Sequence, residues 1–409
     1  MNSLPRPLRS YIRDEKLLPI ADKVARGERL TFEDGLLLYG TKDLTGVGAM
    51  AHHVRLSRHG LKTYFVASRR LSYTNICYTH CQFCAFQAKP GDPRAYVLSA
   101  EDIIKDLEKP ESTGVRELHM VAGHYPKLKI EYFEDLFRKI KLRFPDMHLK
   151  VFTMVEMDYY AKVSGISMDE FLDRCVAAGL ESCPGGGAEI FDEGIREKIC
   201  IGKKDANVWL KNAELCHSKG IPTNCTMLYG HIEEPQHKVD HLLRLRDLQD
   251  RSLKNGKTAF LAYIPLAYQN ENNELSRTHV IFETTGDGDL REIAVARLML
   301  DNVPHIKAYW VMISPGLAQI GLSYGADDID GTIIEEEIAH DAGAQTPQGL
   351  TQAELARLIR AAGFEPLERD NLYRTYEEVP GPPAPEKPLP CKPWPRAFCA
   401  WACRRICTS

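Results

Sequence analysis

No run of apolar residues in the sequence reaches the roughly 20 needed to span a bilayer, so a helical membrane anchor is not expected. Met1 to Arg13 lack the apolar centre of a secretory signal, and the expected address is the cytoplasm. A strong charge of either sign is missing too. With 52 Lys and Arg against 56 Asp and Glu, the net charge is −4. Nothing in that balance draws the chain to nucleic acid, and acidic ligands must be met by local Arg, Lys or His. The glycine run Gly185–Gly187 lacks the Lys-Ser/Thr ending of a phosphate-binding loop. No nucleic-acid and no membrane partner is expected.

Cysteine is plentiful by contrast, with 12 residues. In a reducing compartment they are not expected to form disulfides. Cys77, Cys81 and Cys84 stand close together. Cys175, Cys183, Cys200, Cys216 and Cys225 lie in periodic segments, where a buried thiol behaves as a small hydrophobe. Cys391, Cys399, Cys403 and Cys407 fall in a tail rich in proline from Pro380 to Pro395. Residues 377–409 read as a disordered extension. A second cluster on Cys399, Cys403 and Cys407, spaced every four residues, is the competing reading.

Residues 1–70 read as a mainly helical segment, and residues 71–376 as one α/β domain. Ser99 and Asp102 form a capping box ahead of Ile103, Ile104 and Leu107. Strands are expected over 118–121, 149–155, 180–183, 221–229, 258–264 and 306–311. Helices are expected over 132–140, 168–178, 206–219, 237–253 and 290–301. Repeated strand–helix units predict parallel strands with crossover helices, and their number favours a TIM-type (β/α) barrel over an open doubly wound sheet. The chemistry of such a barrel sits at the carboxyl ends of its strands.

One of those ends is Asn75-Ile-Cys-Tyr-Thr-His-Cys-Gln-Phe-Cys-Ala-Phe86. Three thiolates spaced by three and two residues can hold one [4Fe-4S] cluster and leave one iron open, as a catalytic site requires. A structural zinc site normally takes four ligands in two pairs. His80 is the only nearby fourth ligand, and it sits between two of the thiols.

On these residues the chain resembles the radical S-adenosylmethionine (SAM) enzymes of the futalosine pathway, and within them the aminofutalosine (aminodeoxyfutalosine) synthases of menaquinone biosynthesis. The matching stretches run from about Gly27 to Tyr373. They include Thr74-Asn-Ile-Cys77, Glu117-Leu-His-Met-Val121, Phe152-Thr-Met-Val-Glu156 and Pro184-Gly-Gly-Gly-Ala-Glu-Ile190. Further matches are Asn224-Cys-Thr-Met-Leu-Tyr-Gly-His231, Gly325-Ala-Asp-Asp-Ile-Asp-Gly-Thr332 and Thr346-Pro-Gln-Gly-Leu350. One stretch departs from the superfamily pattern: Ala122 stands where the first glycine of a Gly-Gly pair receives the methionine amino group.

The resemblance implies a radical SAM barrel with a helical N-terminal segment and a C-terminal extension. It implies a cluster on Cys77, Cys81 and Cys84 and SAM as a consumed co-substrate. In the family the 5′-deoxyadenosyl radical adds to the enol ether of 3-[(1-carboxyvinyl)oxy]benzoate, and the adduct rearranges and loses a carboxyl carbon to give aminofutalosine. A low-potential donor such as flavodoxin or ferredoxin is the implied protein partner. Phe83, Gly123, Glu156, Gly185, Gly186 and Glu189 are the expected SAM contacts. Glu189 reads equally as a helix-start residue, and Glu156 as an exposed loop acid. Asn224, Thr226, His231 and Arg277 are the expected substrate contacts, with core packing or loop solvation as the alternatives. Asp327, Asp328 and Asp330 are expected to organise the loop at the last strand. Two other activities stay open: the sibling cyclic dehypoxanthine futalosine synthase, and a non-catalytic iron–sulfur electron carrier.

Overall fold

Capping signals in the sequence set many of the helix boundaries. Leu18–Arg26 (α1) stops where Gly27 turns left-handed. Thr31 and Asp34 cap Phe32–Gly40 (α2) reciprocally, and Asp43 caps Leu44–His59 (α3). The chain then enters two short strands, Lys62–Val66 (β1) and Ser68–Leu71 (β2). The computed structural model describes residues 7–203 and 205–381, so the tail cysteines and the expected disorder of that tail lie outside the described residues. Described residues up to Glu378 belong to one unit.

The cysteine loop carries a two-residue strand, His80–Cys81 (β3). Ala100–Leu107 (α4) begins at the expected Ser99–Asp102 box. Glu117–Met120 (β4), Ile130–Arg143 (α5), His148–Val151 (β5), Met154–Ser164 (α6) and Met168–Ala178 (α7) follow. Next come Glu193–Ile199 (α8), Cys200–Ile201 (β6), Ala206–Ser218 (α9), Thr223–Tyr229 (β7) and Pro235–Asn255 (α10). Phe260–Ala267 (β8), Glu274–Thr278 (α11), Gly286–Met299 (α12), His305–Ile306 (β9), Trp310–Ile313 (α13) and Pro315–Gly321 (α14) come after them. The last elements are Asp328–Gly331 (β10), Ile338–Asp341 (α15), Gln352–Ala361 (α16), Glu365–Arg369 (β11) and Tyr376–Glu378 (β12).

Several expectations need correction. The segment 1–70, read as mainly helical, also carries β1 and the start of β2, and β1 pairs in parallel with β10 and with β11. The strand expected over 149–155 ends at Val151, because Phe152 is left-handed and a Thr153–Glu156 capping box starts α6. Residues 180–183 make only single bridges, Ser182 to Lys150 and Cys183 to Thr223. The strand expected over 306–311 stops at Ile306 and gives way to α13.

The strands form parallel ladders, β2-β4-β5, β7-β8-β9 and β10-β1-β11, with β12 antiparallel at the edge of the last. Isolated parallel bridges, among them Arg69–Ile334 and Lys307–Asp328, carry the pairing from one ladder to the next. The barrel layout places the loops after β2, β4, β5, β7 and β8 around one mouth. Behind it, Phe133, Phe137, Phe152, Tyr160 and Phe171 form a buried aromatic cluster. Each ring contributes about 1.5–3 kcal/mol by leaving water.

Asp327, Asp328 and Asp330, at and beside β10, do not share a site. Asp327 is fully buried against Arg297 and His305, and it also accepts the Ile306 N–H at 2.9 Å. Asp328 takes Arg369 at 2.6 Å and the Tyr373 hydroxyl at 2.5 Å. Asp330 takes Lys307 at 2.6 Å and Arg70 at 3.0 Å.

Candidate active site

A cavity of about 260 Å³ opens among the strand ends. Cys77, Cys81, Cys84 and Phe83 all line it. The cysteine loop is held in place by backbone pairing and by side chains such as Asn75 and Thr79, which bond Arg94 O and His124. β3 pairs antiparallel with β6, bringing Cys81 opposite Cys200. The Gln82 N–H donates to Ile199 O at 2.9 Å, and Leu275 N–H of α11 donates to Gln82 O at 2.9 Å. The Gln87 amide donates to Cys81 O at 2.9 Å and to Cys84 O at 3.2 Å. His124 N–H points at Cys77 Sγ, 3.4 Å away. His80 turns away to pair with Glu274 at 2.8 Å, which removes it from the ligand set.

Burial raises the Cys77 thiol, whereas a hydrogen bond with Cys200 brings Cys81 down to about 7. Burial, then Cys81 and Cys77, push the Cys84 thiol up to about 12. A bound cation reverses that preference by holding all three ionised. The donor set therefore suits an iron–sulfur cluster on three thiolates, while Cys200, hydrogen-bonded to the Cys81 thiol, lies outside the cavity lining.

The walls next to the thiols explain their glycines. A side chain at Gly123 would stand 2.3 Å from the Ile76 carbonyl oxygen. At Gly185, with φ 83°, it would stand 2.0 Å from the Asn224 carbonyl oxygen. Gly186 and Gly187 line the cavity, whereas Gly185 sits behind them and accepts the Thr226 hydroxyl at 3.1 Å. This close packing brings Gly186 and Gly187 into the cavity wall.

Glu156 is buried and lines the cavity, contrary to its reading as an exposed acid. Its oxygens accept from Tyr73 Oη at 2.8 Å, Ala122 N–H at 2.9 Å and Thr153 N–H at 2.7 Å. Burial raises its pKa, and these donors oppose the rise. Ala122 thus has its N–H turned to Glu156. Glu189 is left-handed, lines the cavity and pairs with Lys203 at 2.5 Å. It does not start a helix, since α8 begins after Asp192.

The expected substrate contacts divide. Thr226 lines the cavity, but Asn224 is buried outside its lining. His231 is also outside the lining. Its ring bonds locally, to Leu228 O at 3.1 Å and to the Ile232 N–H at 2.7 Å, and burial lowers its pKa. Arg277 is exposed on α11, outside the lining. In their place the lining includes Arg70, His119, Lys203, Gln269, Tyr309 and Glu336. Period-two alternation at the ends of β2 and β4 was the available signal for Arg70 and His119. Burial, then Arg70, hold His119 well below the usual histidine range, so it faces the cavity neutral. Burial lowers His124 to about 3.

Glu336 is clasped by His340, whose Nδ1 lies 3.2 Å from its carboxylate and 2.6 Å from its carbonyl. The carboxylate raises His340 to about 9. Since this exceeds the free value of about 6.5, the pair's contribution is whole below that value and fades as pH rises through about 9. Amide exchange over 336–346, corrected for its intrinsic rate, should quicken above that pH. His340→Gln should remove the step, and an identical profile in both proteins would refute the assignment.

Comparison with known proteins adds an independent line. The Radical SAM superfamily profile matches residues 71–246, and the CofH/MqnC C-terminal region matches 257–382. The chain is 49% identical to an aminodeoxyfutalosine synthase of Thermus thermophilus, over 89% of this chain and 96% of that one. It is 42% identical to an aminodeoxyfutalosine synthase of Streptomyces coelicolor, over 89% and 95%. In three dimensions it is similar to an FeFe-hydrogenase maturase from Carboxydothermus hydrogenoformans, with a TM-score of 0.66 at 15% identity, covering 90% of this chain and 83% of that one. The last likeness concerns the fold alone.

Proposed function

The chain belongs to the aminodeoxyfutalosine synthase family of the Radical SAM superfamily, and on that premise we propose that it joins the 5′-deoxyadenosyl group of SAM to 3-[(1-carboxyvinyl)oxy]benzoate. Aminofutalosine and methionine are the products, with the lost carboxyl carbon leaving as bicarbonate or CO2. The observation that carries this reading is the placement of all three motif thiols on one cavity beside the Gly186–Gly187 wall.

When bound on Cys77, Cys81 and Cys84, a [4Fe-4S] cluster supplies the electron that breaks the sulfonium bond of SAM. The chain's own residues do the rest by placement. Gly186 and Gly187 let backbone approach the nucleoside, and Glu189, fixed by Lys203, is the carboxylate offered to the ribose hydroxyls. Phe83, Phe86, Leu228, Ile264, Leu266 and Met312 give the cavity a largely apolar wall. Such a wall excludes water and holds the vinyl carbon against the 5′ carbon. Thr226 spends its hydroxyl on Gly185, so it acts by shaping the cradle. A flavodoxin or ferredoxin is the electron donor in this reading, and the cytoplasm is its setting. Among the described residues no helix is long and apolar enough to cross a membrane.

The test is an anaerobic incubation of cluster-loaded, reduced protein with SAM and the enol ether. Aminofutalosine carrying the adenosyl carbons is the expected nucleoside product. Free 5′-deoxyadenosine as the main product, or turnover of dehypoxanthine futalosine instead, would overturn the proposal.

A further inference from the structure

The cavity must neutralise a dicarboxylate, yet its lining is mostly apolar. Among the described lining residues, the only lysine or arginine side chains are Arg70 and Lys203. Lys203 is matched by Glu189 at 2.5 Å. Arg70 is different. Its carboxylate partner, Asp330, is shared with Lys307, which is itself buried and closer at 2.6 Å against 3.0 Å. Two cations thus share one carboxylate. The other acids around Arg70 are taken: Glu117 by Lys150, and Glu336 by His340. Arg70 thus shares its carboxylate with a closer cation instead of holding one of its own.

A second observation points the same way. The Tyr309 ring lies under the Arg70 guanidinium, 4.7 Å from its carbon, and Tyr309 lines the cavity. Its hydroxyl is buried and has no hydrogen-bond partner. A buried donor without an acceptor is rare and costs free energy until one arrives. His119 stands at the same floor and adds no charge of its own. A guanidinium that shares its carboxylate, beside an unsatisfied hydroxyl, suits an anionic acceptor, and a planar carboxylate can meet both donors.

We propose that Arg70 and Tyr309 form the subsite that grips a carboxylate of the substrate. The assignment rests on the reaction proposed above, and it deepens that reading by naming a specificity-determining pair. The chemistry is shared by the two carboxylates of the substrate, one on the vinyl carbon and one on the ring.

Binding without reductant separates recognition from turnover. Cluster-loaded wild type, R70Q, R70K and Y309F would be titrated calorimetrically, in the presence of SAM, with the enol ether and with each of its two monomethyl esters. R70Q should weaken the diacid on the order of 10- to 100-fold, R70K less, and Y309F by about 5-fold. Iron content and SAM affinity should not move. Lys307 still holds Asp330 in R70Q, so the fold keeps its neutral pair. The ester to which wild type and R70Q bind equally identifies the gripped carboxylate. An R70Q that binds the diacid like wild type, or a full loss that persists with both esters, would overturn the subsite alone. If wild type neither binds nor converts the diacid, the reaction assignment falls, and the subsite with it.

Discussion

Replacing Cys84 with alanine is expected to strip the reconstituted protein of its iron and sulfide and to reduce product formation to background. The three thiols are the cavity-lining sulfurs of the loop and, in the proposed assignment, the cluster ligands; His80 is engaged by Glu274, so no side chain of the loop is placed to replace a lost one. The same result is expected for Cys77→Ala and Cys81→Ala. The informative contrast is Cys200→Ala. Cys200 lies opposite Cys81 across the β3–β6 pair but is buried outside the cavity lining. That variant should keep its iron. Iron and sulfide analysis with electron paramagnetic resonance of the reduced protein would read both. A Cys84→Ala protein with a full complement of iron would refute the ligand assignment, and so would a Cys200→Ala protein without any.

The second large effect is on stability. Asp327→Ala should cost about 3–5 kcal/mol, because it leaves the buried Arg297 without its carboxylate. His305 Nδ1, 2.6 Å away, and the Ile306 N–H lose their acceptor as well. Burial works against ionisation of this acid, yet the facing His59, His305 and Arg297 outweigh it and hold the carboxyl well below the usual range. The sign follows. The contribution is whole above the unfolded value of about 3.9 and is lost only as pH falls towards the depressed folded value. Denaturant titration near neutral pH should show the full loss for the alanine variant. A change below about 1 kcal/mol would show that the network is dispensable.

Local signals in the sequence located the cysteine motif, the Ser99–Asp102 box and the helix at Met168–Ala178. Those features depend on neighbours a few residues apart. Features that depend on distant partners were harder to read. β1 looked like the end of a helical segment because its partners, β10 and β11, lie at the far end of the chain. The start of α6 was hidden because Phe152 leaves the strand in a left-handed conformation that an apolar pattern does not announce. Arg277 was an attractive carboxylate ligand by charge alone, but α11 carries it outside the cavity lining. Arg70 adjoins another arginine in β2, and only the fold shows that one faces Asp106 and Glu335 while the other faces the cavity. The glycine wall was legible as backbone exposure. Its cause, the Asn224 carbonyl behind Gly185, was not.

The pairing of β3 with β6, and of Gln82 with α11, also sets an order of events during synthesis. The thiol-bearing loop emerges early from the ribosome, but the segments that hold it are translated much later. A nascent chain therefore presents its cysteines long before it can present them in the right arrangement. Iron delivered at that stage would meet a floppy trithiol able to bind it in unproductive ways. Loading is best served once the chain through α11 is complete and β6 and α11 hold the loop in place.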